Sequence, residues 1–112
     1  MPVNSKMKGK RYELEIAAYL KKKGYEARRT NQYCGYTGDA SDVVGLDGIH
    51  IECKFYKSKA FDYEWMAQAV HDAQNDEIPC VFHRCNGKES LVTMRLDDFM
   101  EIYKSWQKNI TG

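Results

Sequence analysis

Residues 41–56, SDVVGLDGIHIECKFY, decide the fold. They read as two short strands around a tight turn. Alternation puts Ile49, Ile51, Cys53 and Phe55 on one face of the second strand, and His50, Glu52 and Lys54 on the other. Loop length then sets which face receives Asp42. A two-residue turn at Asp47-Gly48 sends Asp42 to the Cys53 face. A three-residue loop, Leu46-Asp47-Gly48, sets Asp42 opposite Glu52, and Gly48 suits the left-handed residue on which such loops commonly end. The three-residue loop is expected, with Asp42 and Glu52 on one side of the sheet.

Upstream, residues 6–23 have helical periodicity and Gly24 supplies the stop. Glu13, Ile16, Ala17 and Leu20 share one face, so a carboxylate sits inside an apolar stripe, whereas Glu15 points away among Arg11 and Lys22. Burying an ionised carboxylate is costly unless it meets a cation, a metal or several donors. Residues 25–32 read as a first strand with Arg28 and Arg29 on opposite faces. Residues 30–41, TNQYCGYTGDAS, read as a flexible loop placed to close over a substrate.

Downstream, a helix is expected over 61–75 with Trp65, Met66, Ala69, Val70 and Ala73 buried and Gln68 off that stripe. Strands follow over 79–84 and 89–94, turning at Asn86-Gly87. A last helix runs from Asp97 or Asp98 to Gln107. Its aspartates suit the N-terminal cap and dipole, and Phe99, Ile102, Tyr103 and Trp106 form its core face. That assignment leaves too few exposed apolar residues to locate a partner surface. The order α-β-β-β-α-β-β-α is that of an α+β sandwich with a mixed five-stranded sheet.

The length of 112 residues suits a single domain spanning 1–112. No apolar run is long enough for a membrane span and the N-terminus carries no apolar leader, so a cytoplasmic protein is expected. Cysteines 34, 53, 80 and 85 form no CxxC pair, and free thiols are expected in preference to a zinc site or disulfides. The formal net charge is only +1. Its distribution is uneven: residues 1–59 carry 12 basic and 7 acidic side chains, a net of +5, and residues 60–112 carry 5 and 9, a net of −4. A basic half presents a local surface to phosphates whatever the total.

Asp42, Glu52 and Lys54 on one face are the residue types that phosphodiester hydrolysis needs. Mg²⁺ takes a few carboxylates and completes its shell with water and substrate oxygens. Asp42 and Glu52 are the expected ligands, with the Cys53 backbone carbonyl, and Glu13 adds a direct or water-mediated contact. Lys54 is placed to orient the attacking water or neutralise developing charge. The bland alternative is a surface Glu52–Lys54 ion pair with Asp42 as a turn residue. His50 shares the face, either touching the phosphate or serving as a hydrogen-bonded structural histidine.

Several stretches carry a resemblance: KGKRYELEIAAYLKKKGYEARR, SDVVG, IHIECK, a helix with WMAQA, and PCVFHR. Over residues 8–106 the chain resembles the PD-(D/E)xK nuclease superfamily, and more closely its Holliday junction resolvases of archaeal and phage type. The resemblance implies a restriction-endonuclease-like fold, with Glu13, Asp42, Glu52 and Lys54 catalytic and one or two Mg²⁺ ions per site, Mn²⁺ substituting. It implies a homodimer on four-way DNA junctions in a bacterial, archaeal or phage-infected cell, with no small-molecule cofactor. Gln68 corresponds to a helix glutamine that supports the site or contacts DNA. Ser41 replaces the usual proline before the aspartate, and Thr30, Thr37 or Ser41 supplies the hydroxyl of a mobile loop. Phosphate contacts are expected from Lys8, Lys10, Arg11, Arg28, Arg29, Lys57 and Lys59. A nickase or restriction- or repair-type nuclease of the same superfamily, a non-catalytic DNA-binding module and a zinc-binding interaction domain are the alternatives.

Overall fold

A computed structural model describes residues 5–30, 41–57 and 60–111. Helix α1 (Ser5–Lys22) is followed by strands β1 (Arg28–Arg29), β2 (Val43–Val44) and β3 (Ile49–Tyr56). Helix α2 (Tyr63–Asp72), strands β4 (Ile78–Cys85) and β5 (Leu91–Met94), and helix α3 (Leu96–Thr111) complete the chain. The element order is the expected one. The five strands form one sheet in the order β1-β2-β3-β4-β5. All neighbours run antiparallel except β3 and β4, which are parallel along their whole length. Helix α2 is the crossover that a parallel pair requires. This mixed sheet flanked by helices has the layout of a restriction-endonuclease-like fold.

Gly24 ends α1 as expected, through a C-terminal motif in which Gly24 N–H donates to Lys21 O at 3.0 Å and Tyr25 N–H to Leu20 O at 3.1 Å. The face of α1 carrying Tyr12, Ile16, Ala17 and Leu20 packs on Ala27, Val43, Ile51 and Cys53, and these eight residues form the main core cluster. Each large aliphatic side chain buried there contributes roughly 1.5–3 kcal/mol. The register of the core depends on the β2–β3 loop. Val43 pairs with Ile51, the Ile49 N–H donates to Leu46 O, and Gly48 takes φ +85°. The loop is the three-residue one.

Several expectations change in the structure. β1 is confined to Arg28–Arg29 rather than 25–32, of which residues 31 and 32 lie outside the described residues. Helix α2 is shorter at both ends, capped by the Asp62 carboxylate accepting from Glu64 N–H at 2.9 Å. Of its expected stripe only Ala69 is fully buried, and Val70 is exposed. The largest departure is α3. Its apolar face was assigned to the core, yet every residue from 99 to 110 is exposed.

Candidate active site

The regular ladder between β2 and β3 stops at Asp42, and how it stops makes the site. In an extended strand the N–H and C=O of one residue point to the same side. At Asp42 they part: its N–H donates to Ile51 O at 2.9 Å, and its C=O accepts from Thr30 N–H at 3.0 Å on the β1 side. The chain bends here, and such irregularities re-aim side chains at sheet edges. The Asp42 carboxylate takes the place of the next backbone acceptor, with Oδ2 receiving the Cys53 N–H at 2.8 Å. The Asp42 and Glu52 carboxyl groups lie close enough that the charge of Glu52 acts on Asp42. Loop length and register are as expected from the sequence. The meeting of the two carboxylates differs in origin, depending on a bend and not on plain alternation.

Among the described residues, pairing on the β2 side of β3 ends there, so Cys53 and the residues after it face an open edge. A cleft of about 510 Å³ occupies that edge, lined by Lys10, Glu13, Arg29, Asp42, Cys53, Lys54 and Gln68 among others. It collects α1, β1, β3 and α2 around one point. Lys54 Nζ donates to Gln68 Oε1 at 3.0 Å, so the α2 glutamine holds the lysine across the cleft.

Glu52 lies beneath the cleft, only 1% exposed. A fully buried chain of hydrogen bonds fixes it: Ser41 Oγ meets His50 Nδ1 at 2.7 Å, and His50 Nε2 meets Glu52 Oε1 at 2.9 Å. A carboxylate only accepts, so Nε2–H is the donor to it, and Nδ1 receives the Ser41 hydroxyl. His50 is therefore the hydrogen-bonded structural histidine, engaged at both ring nitrogens and buried. Ser41, where the resemblance departs from its pattern, orients it. The Thr30 hydroxyl donates to Ser41 O at 2.5 Å. Two of the three loop-hydroxyl candidates are thus buried and engaged internally, and Thr37 lies outside the described residues, as does the loop 31–40.

Glu13 is buried in the α1 stripe, but its Oε1 accepts from Arg29 Nε at 2.6 Å. Its burial has an explanation that the sequence reading lacked, because β1 brings a cation to it. The charge left uncompensated is concentrated on Asp42 and Glu52. The Asp42 carboxyl is pushed up to about 7, first by burial and then by the negative charge of Glu52, with a smaller contribution from Glu13. Burial likewise raises the Cys53 thiol and keeps it protonated.

Among the described residues no three His, Cys, Asp or Glu side chains converge on a single point. A cation at this edge would meet two carboxylates together with the Cys53 carbonyl, which strand geometry turns to the same side as its N–H. These are hard oxygen donors with unbalanced negative charge, which fits Mg²⁺ or Mn²⁺ with water completing the shell and does not suit a thiolate-bound zinc. Cys53, Cys80 and Cys85 are free thiols.

The expected phosphate contacts divide. Lys10 lines the acidic cleft. Lys8, Arg11 and Lys57 line a neighbouring cleft of about 370 Å³ that shares Phe55 with the first. Arg28 is exposed on β1, Arg29 is held by Glu13, and Lys59 lies outside the described residues. Arg84 also lines the second cleft, clamped by Glu15 at 2.8 and 3.1 Å and lying over the Phe55 ring at 4.9 Å. It was missed because it belongs to the acidic half of the sequence. Only the parallel register, which sets Arg84 beside Phe55, reveals it.

The family model described as "Phage putative PDDEXK endonuclease" matches residues 4–111. The chain belongs to this family. It is accordingly a nuclease of the PD-(D/E)xK superfamily, and DNA is its partner class. Searches of curated proteins and of solved structures return no match. Among the described residues no helix is long and apolar enough to cross a membrane.

Proposed function

We propose that the chain is a Mg²⁺-dependent, structure-selective endonuclease that acts as a homodimer on four-way DNA junctions, with Mn²⁺ able to replace Mg²⁺. The observation that carries the catalytic part is the convergence of the Asp42 and Glu52 carboxylates, the Cys53 backbone and the Lys54 ammonium at the open edge of β3. A divalent cation bound there supplies an activated water and offsets charge on the phosphoryl oxygens. Asp42 and Glu52 are the residues that would hold that cation. Lys54, steadied by Gln68, is positioned to hydrogen-bond the attacking water or a non-bridging phosphate oxygen. Glu13 acts through its ion pair with Arg29 at the cleft wall, and a water-mediated contact to the cation would be its further role. Lys8, Lys10, Arg11, Arg28 and Lys57 give the phosphate contacts, which suits a substrate recognised by shape more than by base edges.

Junction preference and dimerisation rest on the resemblance over residues 8–106. The experiment is cleavage of a four-way junction, plain duplex, flap and single strand in a Mg²⁺ and Mn²⁺ series. Preferential junction cutting, leaving 5′-phosphate and 3′-hydroxyl ends, is expected. Equal cutting of plain duplex removes the junction assignment and leaves a nuclease for another DNA substrate. Junction binding without cutting in either metal identifies a non-catalytic DNA-binding module.

A further inference from the structure

Helix α3 spans 16 residues, and from residue 99 to residue 110 none of them is buried. A helix of this length is marginal in water without a packed face. Its apolar side chains Leu96, Phe99, Tyr103, Trp106 and Ile110 recur at intervals of three and four, the spacing of a helix–helix seam. They remain 75%, 48%, 39%, 56% and 59% exposed.

We infer that α3 is a self-association surface on which two copies of this chain pair antiparallel through the Leu96–Ile110 seam. The residues flanking the seam are Met100, Ile102, Gln107 and Asn109, none of them charged. Two identical helices bring identical flanks together, and like charges there would repel. The charged residues Asp97, Asp98, Glu101, Lys104 and Lys108 all lie off the seam and its flanks, on the far side of the helix.

The seam is also nearly symmetric about its middle. A two-fold axis beside Tyr103 sets Phe99 against the second copy's Trp106 and Leu96 against its Ile110, the isologous arrangement of a two-fold dimer. Antiparallel pairing also opposes the two helix dipoles. Aromatic side chains cover roughly 150–250 Å² each. Weighted by their exposure, three of them with two aliphatics leave roughly 400–500 Å² open, about half of the ~800 Å² that each partner of a standard-size interface buries. The seam gives a surface to the homodimer proposed above, and it stands without reference to the cleavage chemistry.

The test is sedimentation of the full chain at micromolar concentration, for wild type, Tyr103→Glu on the seam and Lys104→Glu on the far side. Wild type and Lys104→Glu should sediment as dimers, with Tyr103→Glu associating at least about 100-fold more weakly. Circular dichroism checks that the fold is kept. Should Tyr103→Glu lose its fold, Tyr103→Cys decides, because a two-fold axis at this position makes it cross-link to its own copy under mild oxidation. A monomeric wild type, a folded Tyr103→Glu that still dimerises, or a dimer in which Tyr103→Cys does not cross-link overturns the pairing. A dimer without nuclease activity would remove the proposed activity and leave the pairing standing, and an active monomer would do the reverse.

Discussion

The β3 edge and helix α3 depart from ordinary burial in opposite directions. At the edge, Glu13, His50 and Glu52 are each at most 5% exposed. On α3, Leu96, Trp106 and Ile110 are more than half exposed. The buried group is internally satisfied: among the described residues no buried side-chain nitrogen or oxygen lacks a hydrogen-bond partner. What remains at the edge is excess negative charge on two carboxylates, which calls for a cation. What remains on α3 is apolar area, which calls for another protein surface. The two deficits differ in kind, and the proposed cation and the proposed second copy are the complements that would meet them.

Substitutions should separate the two regions. A large loss of cleavage is expected at Lys54. Lys54→Met should lower cleavage by about 10³-fold with the fold retained, because its ammonium makes its hydrogen bond at the surface. Full activity in that variant would remove the lysine from the site. His50→Gln breaks the chain from Ser41 to Glu52 and should raise the Mn²⁺ dissociation constant by about 10- to 100-fold in calorimetry. A loss of cleavage with unchanged Mn²⁺ affinity would show that His50 does not orient Glu52.

Asp42→Asn should abolish cleavage yet stabilise the metal-free protein at pH 8 by about 1–3 kcal/mol, since it removes a charge that burial and Glu52 oppose. The pH dependence follows the same sign. The folded carboxyl of Asp42 is pushed up to about 7 from an ordinary 3.8, so between those values the folded state keeps a proton that the unfolded state has released. Metal-free stability should therefore fall from about pH 4 to pH 7 and then level off. Stabilisation by Mg²⁺, which needs the ionised form, should grow over the same interval. Thermal melts at several pH values with and without Mg²⁺ check both. The smallest effect belongs to α3: Trp106→Ser should change the stability of the dissociated chain by no more than about 0.5 kcal/mol, because its ring packs on no core.

Local pattern made the hairpin legible. Gly48 and the alternation of residues 49–55 set loop length and register, and with them the placement of Lys54. The bend at Asp42 was not legible, because it depends on β1 taking the Asp42 carbonyl. That contact crosses residues 31–40, which carry no periodicity to fix it. The same long-range pairing brings Arg29 to Glu13, so a carboxylate correctly read as buried had an unread partner. In α3 the periodicity of Phe99, Tyr103 and Trp106 was legible and its burial was not. Periodicity says that a helix has an apolar face, and only tertiary packing says what covers it.

The central claim is that the carboxylates at the β3 edge carry the chemistry, and Glu52→Gln tests it most directly. Glutamine preserves the volume and can still accept from His50 Nε2, and it removes a charge that opposes Asp42, so the metal-free variant should fold and melt no lower than wild type does. With Mg²⁺ and a DNA junction it should cut at least about 10³-fold more slowly than wild type. Cleavage at the wild-type rate by folded Glu52→Gln would contradict the account.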